Sequence, residues 1–369
     1  MFDEKDVPLD IWQYLKNTKK HIVLYGMGDG ADKILSACRM YDIKVDDFFA
    51  SDGFVRGQSF HEKRVLSYSD VCCKYGKDNM IVLLSFASNL DEVLANINKI
   101  ACECELYAPD VPVYGDEVFN RDFYIRNLEK IKNAEQIFSD DESRRVFCNI
   151  IKYKLSGKIN YLYECESAEA DCFALLEAKN FESVVDLGAY NGDTIQKVKK
   201  YSKKLSRVVA FEPDKRNYKK LLKYIESESL HIDAYNIGAW SKKEKLNFCD
   251  SGNRNSSLEY TMSSLIKNSE KKVRPHEPVE LDSLDNILCG EKIDYIKYDV
   301  EGSEREALEG SRHTIAKYSP ALLVSAYHKS ADIFTLPIFI KEIHPDYSIY
   351  LRKLRYIPAW DVNILAIKK

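Results

Sequence analysis

Short apolar runs alternate with helical patterns along the first hundred residues. Apolar runs cover residues 21–25, 45–50 and 80–85, and helical spacing follows from Ile34 and again over residues 89–97. Runs of four to six apolar residues predict buried strands, whereas spacings of three and four predict amphipathic helices. This alternation predicts the beginning of a doubly wound parallel sheet.

The same alternation begins again at Phe181 and continues to the end of the chain. Segments rich in apolar residues predict strands at the following positions: 184–187, 207–211, 231–240, 293–298, 320–328, 347–351 and 362–367. Between the two units, residues 121–137 and 141–155 have helical spacing, and Ser139-Asp140-Asp141-Glu142 supplies N-cap chemistry and first-turn acids for the second helix. The chain therefore predicts an α/β protein with two doubly wound Rossmann-like domains, at 1–110 and 181–369, joined by a helical bridge at 111–180.

Composition narrows the functional classes. A net charge of −4, with 30% charged residues of mixed sign, leaves no basic patch for nucleic acid, so we expect no nucleic acid partner. No apolar run approaches the roughly 20 residues that cross a bilayer. The chain opens without the basic and apolar regions of a signal peptide, so we expect a cytoplasmic protein whose ten cysteines are reduced. The sequence does not distinguish a monomer from a homo-oligomer.

A glycine-rich turn follows the first strand of the second unit. Gly188 and Gly192 allow the backbone to approach a ligand, and Glu212 follows about twenty residues later, where dinucleotide-type folds place a ribose-binding acid. Asp186 and Asp193 would repel pyrophosphate but tolerate a cation, and the turn contains no lysine. This charge pattern favours S-adenosylmethionine, which carries an ammonium and a sulfonium group.

Three further polar residues stand at predicted strand ends. Asp299 and Glu301 follow one strand, and His328 ends another. Each alone is explained by helix capping or by ordinary burial. Because the carboxyl ends of parallel strands share one edge of a sheet, their coincidence with Asp186 and Glu212 predicts a catalytic or cofactor site.

The first unit has a glycine turn of its own. Gly26, Gly28 and Ala31 follow its first strand, and Asp52 follows its second strand. These residues are compatible with a nucleotide or nucleotide sugar at a helix N-terminus. They are equally compatible with a tight turn that serves packing alone, and Asp29 within the turn disfavours phosphate.

Several separated motifs of the second unit resemble the FkbM family of methyltransferases. They are the Asp186–Thr194 turn, Phe211-Glu-Pro-Asp, Ile296-Lys-Tyr-Asp-Val-Glu-Gly, and the strand that ends in His328. The resemblance implies a seven-stranded class I methyltransferase fold with S-adenosylmethionine as cofactor, and O-methylation, commonly of sugar hydroxyls. It also implies the following cofactor-binding residues: Asp186, Gly188, Tyr190, Asn191, Gly192, Thr194, Glu212, Asn236, Gly238 and Ala239.

The same resemblance places Asp299, Glu301 and His328 beside the acceptor as the catalytic group. We expect His328, with an ordinary pKa of about 6.5, to act as general base and Asp299 to position the acceptor. Family members often have a glutamate two residues before this histidine, where this chain has Ala326. We predict no metal site, although a magnesium ion on Asp299 and Glu301 is an alternative because that ion prefers oxygen ligands.

The predicted function is thus an S-adenosylmethionine-dependent O-methyltransferase that acts on a small-molecule or glycan acceptor. Two alternatives stay open at this point. One is a nicotinamide-linked oxidoreductase acting on a nucleotide sugar, which would use Gly26, Gly28 and Asp52. The other is a glycan- or nucleotide-binding scaffold without catalysis.

Overall fold

The computed structural model describes residues 10–115, 117–249, 257–258 and 278–369. The chain forms two sheets whose cores consist of parallel strands with helices packed against them. The predicted α/β class with Rossmann-like parallel sheets is therefore confirmed.

The first sheet has five parallel strands in the order β5-β2-β1-β6-β7. After the polar first residues His21 and Asp47, its central strands are apolar and buried, as expected for strands covered on both faces. The strands of this part are β1 (His21–Tyr25), β2 (Asp47–Ala50), β3 (Ser59–Phe60), β4 (Lys63–Arg64), β5 (Leu66–Ser67), β6 (Met80–Leu84) and β7 (Glu105–Tyr107), of which β3 and β4 form a separate hairpin. Its helices are α1 (Ile11–Asn17), α2 (Asp29–Met40), α3 (Tyr68–Tyr75) and α4 (Asp91–Glu103).

Five helices connect the two sheets. They are α5 (Arg121–Arg126), α6 (Leu128–Ile137), α7 (Asp141–Ser156), α8 (Asn160–Tyr163) and α9 (Glu169–Leu175). The single helix predicted over residues 121–137 is wrong, because Asn127 leaves the helical conformation and its side-chain amide donates to the Phe123 carbonyl at 2.9 Å. The N-cap predicted within Ser139-Asp140-Asp141-Glu142 is confirmed, and the structure identifies it as Asp140, whose carboxylate accepts from the Ser143 amide at 2.8 Å.

The second sheet has the order β10-β9-β8-β15-β16-β18-β17. Its first five strands are parallel, whereas β18 runs antiparallel to both of its neighbours. The strands are β8 (Ser183–Leu187), β9 (Arg207–Phe211), β10 (His231–Tyr235), β15 (Tyr295–Tyr298), β16 (Ala321–Ser325), β17 (Tyr347–Lys353) and β18 (Val362–Lys368).

Among the residues that the structure describes, a smaller sheet and six helices complete this part. The smaller sheet contains β11 (Gly238–Ala239), β12 (Glu244–Cys249), β13 (Ser257–Leu258) and β14 (Pro278–Asp282). The helices are α10 (Asp193–Tyr201), α11 (Lys215–Glu226), α12 (Leu284–Leu288), α13 (Glu304–Glu309), α14 (Arg312–Tyr318) and α15 (Asp332–Ile343).

One hydrophobic core extends from the first sheet to the second. It runs from Val23 and Phe49 through the connecting helices, for example Phe147, to Val185 and Ile296 of the second sheet. The outer face of each sheet has a separate core. Because the two sheets share buried apolar side chains, the first sheet and the connecting helices help to position the loops of the second.

Candidate active site

A cavity of about 230 Å³ lies at the carboxyl-end edge of the second sheet. Its walls come from the segments that follow β8, β9, β15 and β16, where ligands of open α/β sheets bind. Five carboxylates and two lysines line it: Asp193, Glu212, Asp299, Glu301, Asp361, Lys197 and Lys297. The excess of negative charge favours a cationic ligand over a phosphate.

The turn after β8 is shaped by two glycines with positive φ. A Cβ at Gly188 would overlap the carbonyl oxygen of Asp299, so this turn lies directly against the end of β15. A Cβ at Gly192 would overlap the Tyr224 ring. Gly188 itself lines the cavity, whereas Gly192 lies behind it at the start of α10.

Glu212 connects this turn with the turn after β9. One of its carboxylate oxygens accepts from the Tyr190 amide at 2.8 Å, and the other accepts from the Asp214 amide at 2.9 Å. Burial raises the pKa of Glu212 to about 7, although these backbone donors oppose the increase. Each carboxylate oxygen keeps a further lone pair, which is what a carboxylate needs to receive two ribose hydroxyls.

Lys297 lies between two carboxylates. Its Nζ is 3.5 Å from Oδ1 of Asp186 and 3.2 Å from Oδ2 of Asp299. Burial disfavours the ammonium, but Asp186 and Asp299 outweigh burial and raise the pKa of Lys297. Burial also raises the pKa of Asp186 to about 6, against the pull of Lys297.

Asp299 is the second carboxylate beside Lys297. Its Oδ1 accepts from the Ser325 hydroxyl at 2.9 Å and from the Tyr327 hydroxyl at 3.2 Å. Burial opposes ionisation, but Lys297 and His328 outweigh it and hold the pKa of Asp299 well below its usual range. Asp299 is therefore a permanent acceptor of hydrogen bonds at neutral pH.

His328 is fully buried among three carboxylates. Its Nδ1 lies 2.8 Å from Glu304, and its Nε2 lies 3.4 Å from Glu301 and 3.6 Å from Asp299. Burial lowers the pKa of His328, but Glu304 and Glu301 outweigh it and raise the pKa to about 10. The expected ordinary pKa is therefore wrong. The missing glutamate at Ala326 is also compensated, because Glu304 approaches the ring from another element.

Glu301 combines a cavity position with strained backbone. It lines the cavity with φ 53°, and the Glu304 carboxylate accepts from the flanking amides of Val300 and Gly302 at 3.0 and 3.3 Å. Burial raises the pKa of Glu301 to about 8, against the attraction of His328. Two other residues lining the cavity, Tyr190 and Asp361, also have positive φ. Such backbone strain concentrates at functional sites.

Most of the predicted site residues line the cavity. Those that line it are Gly188, Tyr190, Thr194, Glu212, Gly238, Ala239, Asp299 and Glu301. Behind this lining lie Asp186, Asn191, Gly192, Asn236 and His328. Asn236 illustrates their position, because its amide donates to the carbonyls of Glu212 and Pro213 at 2.8 and 3.1 Å and thereby holds the turn after β9.

Sequence reasoning missed several lining residues, including Lys297, Tyr327, Trp360 and Asn89. Lys297 had a usable signal, since it precedes Asp299 by two residues and residues two apart on a strand share a face. Trp360 lies in a connecting segment without periodicity. Asn89 stood at the start of the predicted helix over residues 89–97, but that helix begins at Asp91, so helical spacing gave no sign that Asn89 lines the cavity.

The glycine turn of the first sheet is packed against its own sheet. A Cβ at Gly26 would lie 2.7 Å from the Phe86 ring and from the Ser85 hydroxyl, whereas the space beside Gly28 is open. Asp52 lies exposed in a short 3-10 turn after β2. Close packing at Gly26 supports the structural explanation, and a nucleotide at this turn stays a prediction.

Within residues 10–115, 117–249, 257–258 and 278–369, no group of three or more His, Cys, Asp or Glu is placed to hold a metal ion. Across the same residues, no helix has the length and apolarity that crossing a membrane requires.

Residues 186–357 match the family model described as the methyltransferase FkbM domain. This match confirms the resemblance that the sequence motifs predicted. No curated protein matches the chain.

Among solved structures, the chain is similar to the crystal structure of methyltransferase FkbM from Methylobacillus flagellatus KT. The identity is 19%, the match covers 98% of this chain and 94% of that one, and the TM-score is 0.71. Fibrillarin from Aeropyrum pernix with bound S-adenosylmethionine matches at a TM-score of 0.33 and 11% identity, covering 54% of this chain and 74% of that one. A putative rRNA methylase from Clostridium thermocellum matches at a TM-score of 0.33 and 12% identity, and the match covers 55% of this chain and 96% of that one.

Proposed function

We propose that this methyltransferase, whose residues 186–357 match the FkbM methyltransferase domain and whose cofactor is S-adenosylmethionine, methylates a sugar hydroxyl. The acceptor class comprises glycans, glycolipids and nucleotide sugars. The observation that carries the proposal is the placement of Glu212 and the pair Asp299 and Glu301 around one cavity. This places an acid suited to ribose and acids suited to an acceptor hydroxyl within one site.

The described residues fit the cofactor. The negative cavity suits an ammonium and a sulfonium, and the turn at Gly188 leaves room where a side chain would collide. We assign the methionine part to Gly188, Tyr190 and Thr194 and the ribose to Glu212. We assign the adenine to Gly238 and Ala239. Asp186, Asn191, Gly192 and Asn236 support this lining from behind.

S-adenosylmethionine supplies a methyl group on a positively charged sulfur, and the protein must orient the hydroxyl and remove its proton. We assign proton removal to Glu301 rather than to His328. Glu301 lines the cavity and its pKa of about 8 suits a base near neutral pH, whereas the buried His328 carries its own proton. Asp299 accepts a hydrogen bond from the acceptor, and His328 stabilises the negative charge of both carboxylates.

The two sheets also support the division into a domain at 1–110, a helical linker at 111–180 and a methyltransferase domain at 181–369. The strands of the first sheet lie within residues 21–107 and those of the second within residues 183–368, and the described residues between these ranges contain helices α5 to α9.

The test is transfer of radiolabelled methyl groups from S-adenosylmethionine into cell glycan fractions. We expect label in a neutral glycan, held in an ether that survives mild alkali, and no such label with Asp299→Asn. Alkali-labile label would indicate carboxyl methylation, and label in RNA or protein would indicate another acceptor class. Either result would contradict the proposal.

Calorimetry separates the alternative functions. A methyltransferase binds S-adenosylhomocysteine, whereas an oxidoreductase that uses the first glycine turn binds NAD. We expect heat from S-adenosylhomocysteine and none from NAD. A scaffold without catalysis would transfer no methyl group to any fraction.

A further inference from the structure

Three aromatic side chains form a continuous wall of the cavity. Tyr327 follows β16, and Tyr356 and Trp360 lie between β17 and β18. The plane of the Trp360 ring is inclined by 23° to that of Tyr327, with 6.3 Å between the ring centroids, and by 29° to that of Tyr356, with 5.8 Å between the centroids. The proposed catalysis uses none of these ring faces.

This aromatic wall lies on the acceptor side of the site. In the second sheet, the segments assigned to ribose and adenine follow β9 and β10, on one side of β8. The aromatic wall belongs to β16 and to the β17–β18 connection, on the other side of β8. Asp299 follows β15 on that second side, and the Tyr327 hydroxyl donates to it. The aromatic wall and the acceptor carboxylates therefore face the same ligand.

The first part of the chain closes this side of the cavity. Asn89 and Val113 line it, and the backbones next to them are bonded to the second part. Ser88 pairs with Ile357 through two backbone hydrogen bonds of 2.8 and 3.0 Å, and the Tyr114 amide donates to the His328 carbonyl at 2.9 Å. These bonds hold Asn89 beside the segment that carries Tyr356 and Trp360.

The charges of this side disfavour an anionic ligand. Asp299, Glu301 and Asp361 are acids, and Lys297 is already shared between two carboxylates. Lys33, which acts on Glu301 from the first part of the chain, donates to the Val113 carbonyl at 2.6 Å and lies 3.2 Å from Asp29. A phosphate placed here would meet like charges, whereas hydroxyl groups would find acceptors.

We infer that a neutral pyranose ring of the acceptor stacks on Trp360, with its hydroxyls directed at Asp299 and Glu301, and that Asn89 completes this subsite. The inference rests on the proposed function and specifies its substrate. A sugar ring has an apolar C–H face and a polar rim, which matches a flat aromatic surface flanked by carboxylates. The cavity, at about 230 Å³, is below the roughly 300–1,000 Å³ usual for small-molecule sites, so part of a longer acceptor stays outside.

Saturation-transfer NMR tests the subsite with defined probes and protein saturated with S-adenosylhomocysteine. The probes are the methyl glycosides of glucose, galactose, mannose and N-acetylglucosamine, with glucose 1-phosphate as the charged comparison. We expect transfer to at least one neutral glycoside, weaker transfer to glucose 1-phosphate, and binding roughly tenfold weaker with Trp360→Ala but nearly normal with Trp360→Phe. Asn89→Ala weakens binding as well.

Control variants and a second readout separate the two proposals. Phe54→Ala removes an aromatic side chain that is 65% exposed and does not line the cavity, and it should leave glycoside binding unchanged. If Trp360→Ala binds glycosides as the unmodified protein does, or if phosphate improves binding, the subsite is wrong. If the unmodified protein transfers methyl groups to glycans but binds no glycoside, the subsite is wrong and the proposed function is not contradicted. Failure to bind S-adenosylhomocysteine would instead remove the proposed function.

Discussion

Ionisable side chains of alternating sign are buried next to one another at the site. Asp186, Lys297, Asp299 and His328 form a continuous row, and Glu304 ends it. Removing such charges from water costs several kcal/mol per ion, and pairing only partly offsets this cost. A fold that needed stability alone would use apolar residues here, so the row supports a functional role.

Glu301 predicts the pH dependence of methyl transfer. A carboxyl group acts as a base only when ionised, and the pKa of Glu301 is about 8. The rate should therefore rise with pH and level off above about pH 8. Glu301→Gln should lower kcat by about 10²–10⁴-fold and abolish this rise. A pH profile of methyl transfer measures both.

Glu309→Gln is the matched control, because Glu309 lies half-exposed on α13 outside the cavity lining. It should keep the rate and the profile of the unmodified enzyme. If the rate of Glu301→Gln still rises with pH as that of the unmodified enzyme does, the base is another group.

Glu212 predicts the affinity for the cofactor product. Glu212→Gln removes the charge that strengthens two hydrogen bonds to a ribose, and we expect binding of S-adenosylhomocysteine about 10- to 100-fold weaker at pH 8, where Glu212 is ionised. Calorimetry compares the affinity of this variant for S-adenosylhomocysteine with that of the control Glu226→Gln, which changes an exposed glutamate of α11. Equal affinities for the two variants would mean that Glu212 does not contact the nucleoside.

At the scale of elements, the sequence predicted the strands better than the connections. The strands at 21–25 and 207–211 have the predicted bounds, because buried parallel strands are uninterrupted apolar runs. The break at Asn127 was missed, since it depends on one side-chain bond to Phe123. The glycines and acids at the strand ends were predicted together with the strands, because they directly follow the apolar segments that predict those strands. Asn89 and Trp360 were missed because their approach depends on tertiary packing.

Helix α7 is fastened to the outer strand β17, and this contact predicts a difference between two adjacent aspartates. Asp140 caps α7 and lies 2.6 Å from Arg352, whose side chain is 3% exposed, whereas the Asp141 side chain is 98% exposed. Asp140→Ala should lower the free energy of unfolding by about 2–4 kcal/mol, because it removes a cap and leaves a buried charge poorly paired. Asp141→Ala should cost less than about 0.5 kcal/mol.

Chemical denaturation of the two variants measures this difference. Equal losses of stability would show that the α7–β17 contact contributes little.

At the scale of the whole molecule, the continuous core couples the two sheets. Trp12 is fully buried on the far side of the first sheet, away from the cavity. In a variant with Trp240→Phe and Trp360→Phe, Trp12 fluorescence should report a single thermal transition, and S-adenosylhomocysteine should raise its midpoint because it binds the folded state. If the protein has two transitions, and S-adenosylhomocysteine does not change the midpoint of the one that Trp12 reports, the sheets unfold independently.

The central claim is that the edge of the second sheet between Gly188 and Glu212 binds a sulfonium nucleoside. A crystal structure of the protein grown with S-adenosylhomocysteine tests it most directly. The account predicts electron density for the ribose within hydrogen-bonding distance of Glu212 and for the sulfur on the side of Asp299. Density for the ligand elsewhere, or a site that remains closed by the protein's own side chains at saturating ligand, would contradict it.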